Sequence, residues 1–139
     1  MTVTFVVSGV PVPQAGTRGV PTAAGNRQIT TGGKGLARWR SAVTAAAMQA
    51  RCAHGQQTGA IHLDATFRFT VPKSRARNAP RIARKMTKPD LDKLVRAIGD
   101  SLTAAGLIID DNQIASIQAS KWETTTDEPG VVITLTELS

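Results

Sequence analysis

Leu91, Leu94, Val95, Ile98, Leu102 and Ala105 repeat with the i, i+3, i+4, i+7 spacing of a helix that buries one face. A stripe that long has to lie on a second layer of structure, so the rest of the chain must supply one. Thr87 followed by Asp90 resembles a capping box at the helix start. Pro89 suits the first turn, where its missing N–H would be unpaired in any case. Gly106 suits the position just past the helix end, where a positive φ is needed. The opposite face carries Asp92, Lys93, Arg96 and Asp100, with Asp92–Arg96 and Arg96–Asp100 as i, i+4 neighbours.

Carboxylates bracket this helix. Asp90 and Asp92 stand at its start, and Asp110 and Asp111 follow its end. Inside a regular helix, residues two apart point roughly 200° from one another. Asp90 and Asp92 can therefore face one ion only if Asp90 lies at the cap, outside helical geometry. A sharp return at Gly106 could bring one of Asp110 and Asp111 back to the helix, at a distance that the sequence does not establish. Gathered acids in a basic protein suggest a divalent metal held where a nucleic-acid phosphate approaches. Magnesium takes oxygen ligands, usually one or two carboxylates with waters and phosphate oxygens. Asp90, Asp92 and Asp111 supply that chemistry, and Arg96, one turn from Asp92, is the cation placed to stabilise charge growing on the phosphate. N-capping and surface solvation are the alternative uses of these aspartates.

The basic balance points to a polyanion. Net charge is +7, and nine of the 17 Lys and Arg residues lie between Lys73 and Arg96. Lys73, Arg75, Arg77, Arg81, Arg84, Lys85, Lys88 and Lys93 are the candidates for phosphate contact, which positions nucleic acid without reading bases. The same run could instead be a solvated basic loop. A single cysteine, Cys52, excludes an internal disulfide and offers no zinc cluster. No apolar run approaches the roughly 18 residues of a membrane span, and no signal peptide is visible. The setting expected is cytoplasmic.

Along the chain, Val3, Phe5 and Val7 alternate with Thr4, Val6 and Ser8 as a first strand. Residues 14–35, rich in Gly, Thr and Ala, read as a long mobile loop, and Arg18 and Arg27 make it a candidate DNA contact. Leu36 to about Cys52 reads as a second helix with Leu36, Trp39, Val43, Ala46, Ala47 and Ala50 in its stripe; Trp39 could stack on a base, but its place in the stripe favours the core. His54–Gly59 reads as a turn. Ile61, Leu63, Ala65, Phe67 and Phe69 alternate with His62, Asp64, Thr66, Arg68 and Thr70 in the clearest strand. Residues 73–88, interrupted by Pro80, read as a basic loop. Residues 114–123 and 131–136 complete the pattern as two strands around a turn. The order β–α–β–(basic loop)–α–β–β predicts one α+β domain over residues 1–139, two helices packed on a small mixed sheet.

Lys88-Pro89-Asp90-Leu91-Asp92, the helix with Arg96 and Asp100, and Asp110-Asp111-Asn112-Gln113 together resemble the RusA family of Holliday junction resolvases. The opening Phe5–Pro13 is similar to that family's first strand and Pro-rich exit. The resemblance implies a homodimeric, magnesium-dependent endonuclease, with manganese able to substitute, that cuts four-way DNA junctions symmetrically in recombination and repair. It places catalytic, metal-binding aspartates on Asp90, Asp92 and Asp111, and aligns a family lysine with Arg96. Asp100 matches an acid within the family's helix, in a supporting role such as pairing with Arg96. Members are commonly encoded by phages or prophages, so a bacterial or phage-infected cytoplasm is expected. No organic cofactor and no membrane are implied. Lys93 stands where the family usually has Asn, and Arg96 where it has Lys. Arginine keeps the charge but does not readily release a proton.

Two other readings share the basic segment. In one, the chain is a non-catalytic DNA-binding protein with a degenerate acidic site. In the other it is a basic RNA-associated protein, which leaves the aspartates without a purpose. The low aromatic content, with no Tyr, argues against a stacking platform for single strands.

Overall fold

The second layer that the amphipathic helix requires is a five-stranded mixed sheet. The computed structural model describes residues 2–23, 25–32 and 34–138, with backbone alone for 16–22 and 26–32. The sheet contains β1 (Thr2–Ser8), β4 (Ile61–Thr70), β5 (Ile82–Arg84), β6 (Ile114–Thr124) and β7 (Gly130–Glu137), ordered β1-β7-β4-β6-β5. A separate antiparallel hairpin is formed by β2 (Gln14–Thr22) and β3 (Gly25–Gly32). Helices are α1 (Leu36–His54), the one-turn α2 (Lys73–Ala76) and α3 (Leu91–Ala104). The α+β class read from the sequence is the class that forms.

Alternation decides which face of the sheet is covered. In β4, Ile61, Leu63, Ala65, Phe67 and Phe69 are buried, while His62, Asp64, Thr66 and Arg68 are half-buried. The buried set joins Trp39, Val43 and Ala47 of α1 and Leu94, Ile98 and Leu102 of α3 in one core cluster. Both long helices therefore lie on the same side of the sheet. Full burial of each Leu or Ile contributes about 1.5–3 kcal/mol relative to exposure. Trp39 is a core residue, as its spacing indicates.

One topological detail places the acidic residues. β4 pairs antiparallel with β7 on one side and parallel with β6 on the other. Parallel neighbours need a crossover, and here the basic segment and α3 form it. The three aspartates, Arg96 and the eight basic candidates of residues 73–93 thus lie on one connection.

Several local expectations are corrected. Residues 14–35 are not a loop: most of them pair as the β2–β3 hairpin, with a bulge between Gln14 and Thr17. Its partner is adjacent in sequence and it has no place in the main sheet, so it needs no apolar alternation. The side chains of Arg18 and Arg27, raised as DNA contacts, lie outside the described residues. The basic segment is not wholly a loop either, since it contains α2 and the short β5, which pairs with the end of β6. α1 runs on to His54. Asp90, not Thr87, is the N-cap of α3, and Pro89 precedes the cap instead of opening the first turn.

Candidate active site

The extended backbone of Asp90 (φ −69°, ψ 135°) lets it face the same way as a residue two further on. This is the cap position that the Asp-x-Asp spacing required. Its carboxylate makes no capping hydrogen bond and instead accepts an ion pair from Lys93 Nζ at 3.3 Å. Asp92 lies exposed in the first turn of α3, where the helix dipole favours negative charge.

The far end of α3 is closed by Gly106, at φ +72°. Leu107 N–H bonds back to Leu102 O at 3.1 Å, and the chain reverses toward β6. The capping box expected at Thr87 occurs here instead. Asp110 accepts from Asn112 N–H at 3.1 Å, and Gln113 Oε1 accepts from Asp110 N–H at 3.1 Å. Gln113 Nε2 also donates to Gln57 O (3.0 Å) and Gly59 O (2.9 Å). An amide both donates and accepts; that is the physical reason for Gln at the end of Asp-Asp-Asn-Gln.

Locked in this way, Asp111 returns to α3. A β-carbon built on Gly99 would lie 3.6 Å from Asp111 Cβ. Gly99 is seven residues beyond Asp92, which is about 20° short of two full turns. Asp92 and Asp111 therefore share a side of the helix but stand about 10 Å apart along its axis. Five of the ten Asp and Glu residues fall between Asp90 and Asp111. Asp111 is held above the ordinary carboxyl range, first by its hydrogen bond with the Asp110 side chain, then by burial and by the charges of Asp110 and Asp100. Asp110 is held low, chiefly by Asn112 N–H. Among the described residues, no three His, Cys, Asp or Glu side chains form a metal-holding group.

Arg96 and Asp100 are not paired with each other. Arg96 Nη1 donates to Ala15 O at 3.0 Å, and Gln14 Nε2 donates to Asp100 Oδ2. Both residues instead fasten the base of the β2–β3 hairpin to α3, and the i, i+4 ion pairs read from the sequence do not form. Gln14 was not among the expected site residues; its burial at the foot of a Gly-rich stretch left no pattern to find it by.

The eight basic candidates divide by partner. Arg75 and Lys85 converge on the buried Glu123, at 2.7 and 3.6 Å. Arg84 stacks over the Trp122 ring, 4.1 Å from its centroid, and Arg81 donates to Thr126 Oγ1 at 3.3 Å. Lys93 faces Asp90. The side chains of Lys73, Arg77 and Lys88 are exposed and make no hydrogen bond or ion pair among the described residues. Glu123, the anchor of this segment, was missed. Its signal is an acid on a strand otherwise free of acids from Ile114 to Thr124. Lys121 of β6 donates to Thr87 O and Pro89 O, both at 2.8 Å.

No helix among the described residues is long and apolar enough to cross a membrane. No curated protein matches the chain. The family described as endodeoxyribonuclease RusA matches residues 9–136, a span that includes both aspartate pairs, Arg96 and the whole basic segment. A match over that much of 139 residues shows that the chain belongs to the RusA endodeoxyribonuclease family.

Proposed function

We propose that this chain acts, as one domain and a homodimer, to resolve four-way DNA junctions by paired magnesium-dependent cuts in recombination and repair. The observation that carries this reading is the family match across both aspartate pairs, joined to the return that lodges Asp111 on the Asp92 side of α3. A four-way junction has approximate two-fold symmetry, so symmetric cuts call for two sites related by a two-fold axis.

The donor chemistry suits magnesium, with manganese as a substitute. Carboxylate oxygens are its usual protein ligands, and one or two suffice beside water and phosphate. The Asp111 carboxyl, raised first by its hydrogen bond with Asp110, then by burial and by the charges of Asp110 and Asp100, has like-charged neighbours whose repulsion a cation would relieve. Asp90, Asp92 and Asp111 are the residues that would hold the ion, which requires the Asp111 turn to close on the start of α3 across a separation of about 10 Å along the helix. When bound, a divalent ion supplies a nucleophilic water near neutral pH and neutralises charge on the phosphate oxygens. Arg96 contributes charge and not a proton, since a guanidinium does not readily release one. Lys73, Arg77 and Lys88 are free to take DNA phosphates; Arg81, Arg84 and Lys93 flank them. Arg75 and Lys85 act mainly by holding the segment to Glu123.

One observation favours a second reading, DNA binding without cleavage: the separation of Asp92 from Asp111 along α3. The two readings part in a gel assay on an immobile four-way junction and a linear duplex of the same sequence. Opposed nicks in the junction alone, dependent on magnesium, support the resolvase. Tight junction binding with no product under magnesium or manganese supports the binding module. Equal cutting of linear duplex removes junction specificity.

A further inference from the structure

The backbone that delivers Asp90 and Asp92 to α3 is held by the Lys121 side chain, while Lys85 Nζ meets only the Thr87 hydroxyl of that segment, at 3.0 Å. Lys85 N–H bonds to Lys121 O at 3.0 Å, and α3 begins its own ladder with Leu94 N–H to Asp90 O at 3.2 Å. Between them, Met86–Pro89 make no backbone–backbone hydrogen bond among the described residues, and Pro89 has no N–H to offer. The bonds that reach this backbone come from the Lys121 ammonium, to Thr87 O and Pro89 O. Lys121 thus grips the segment twice, by its carbonyl before the gap and by its side chain across it.

Strand parity explains how a lysine comes to be there. Lys121 lies in phase with Ile117 and Ala119, which line a groove together with Leu91, Asp92 and Val95. It therefore projects on the side of β6 that faces the start of α3. No carboxylate lies within ion-pair distance of it among the described residues. A compact ammonium with three donors can meet two converging carbonyls, and charge-assisted bonds of this length are strong. Pro89 is the residue immediately before Asp90, so a shift of its carbonyl moves both carboxylates.

We infer that Lys121 is a positioning residue for the acidic site, setting the entry of Asp90 and Asp92 into α3. The inference rests on the endonuclease reading. Misplacement of a reacting group by about 1 Å costs on the order of 10²-fold in rate.

The test compares wild type with Lys121→Met, which keeps the length and loses the donors, and Lys121→Arg, which restores them. Single-turnover cleavage of a four-way junction in magnesium, junction affinity at several salt concentrations, and amide exchange over residues 85–94 are measured together. For Lys121→Met the expected results are cleavage slower by roughly 10²-fold, affinity within about twofold with an unchanged salt slope, and faster exchange confined to Lys85 and Leu94, the bonded amides at the two ends of the gap. Lys121→Arg should recover most of the rate. A salt slope reduced by about one would make Lys121 a phosphate contact and overturn the inference. Unchanged exchange with unchanged cleavage would overturn it as well, as would exchange that rises across the whole sheet. A wild type that binds but never cuts removes the endonuclease reading and the positioning role with it. A wild type that cuts, beside a Lys121→Met variant that cuts as fast, removes the positioning role alone.

Discussion

Glu123→Gln isolates what fixes the basic segment to the sheet. The Glu123 side chain is 10% exposed and meets Lys85, also 10% exposed, and Arg75, 52% exposed. Removing one partner of a buried pair costs about 3–5 kcal/mol, because the other charge is left uncompensated. An exposed pair is worth at most about 1 kcal/mol. Arg75 can return to water when Glu123 is neutralised, whereas Lys85 cannot without moving. The expected loss therefore lies between these limits, at about 2 kcal/mol. With a urea m-value of about 2 kcal/mol/M, the unfolding midpoint falls by about 1 M. The pH dependence follows from direction alone. The hydrogen bond from Arg75, then the charges of Arg75 and Lys85, hold the Glu123 carboxyl below its ordinary value against the opposing effect of burial. The unfolded chain then takes up the proton first, near pH 4.3. Stability from Glu123 is complete above that pH and is lost as pH falls through the lowered native value. The gap between wild type and Glu123→Gln should be full at pH 7 and should close under acid, read by urea unfolding at a series of pH values. A gap below about 0.5 kcal/mol at pH 7, or one that stays constant as the pH is lowered past that range, would refute the reasoning.

Other positions carry equally direct expectations. Replacing Lys73, Arg77 and Lys88 together by Gln should lower the salt slope of DNA binding by about one for each phosphate that the protein no longer neutralises, whereas Arg75→Gln should act mainly on stability; affinity titrations over salt distinguish them. Gly130→Ala should destabilise by about 2 kcal/mol or more, because the new carbon would lie 2.3 Å from Val7 O on the neighbouring strand; thermal unfolding checks it. Asp110→Ala removes the cap of the turn that carries Asp111 and should cost about 1 kcal/mol, seen in chemical denaturation.

What could be read from the sequence was what periodicity controls. The stripes of α1 and α3 and the alternation of β4 are direct imprints of burial, and their residues pack as expected. The hairpin was hidden because Gly16, Gly19 and Pro21 break any alternation, and because it buries no sheet face of the core. The order within the basic segment comes from Glu123, a partner 38 residues from Lys85 and 48 from Arg75, and no local pattern encodes such a contact. The capping box at Asp110 was not read from the sequence, since Gln113 is held there by Gln57 and Gly59, more than 50 residues away. The aspartates were legible as a cluster in sequence. Their separation along α3 was not, since it depends on where the return after Gly106 comes to rest.

The most direct measurement of the central claim is strand-resolved cleavage of an immobile four-way junction in magnesium by wild type, Asp90→Asn and Asp111→Asn, with binding measured on the same samples. The account predicts paired nicks in opposing strands from wild type, none from either variant, and junction affinity in the variants equal to or tighter than wild type, since a charge facing phosphate has been removed. Nicks that persist in Asp111→Asn at the wild-type rate would contradict it, because the carboxylate that the fold returns to α3 would then have no part in the reaction.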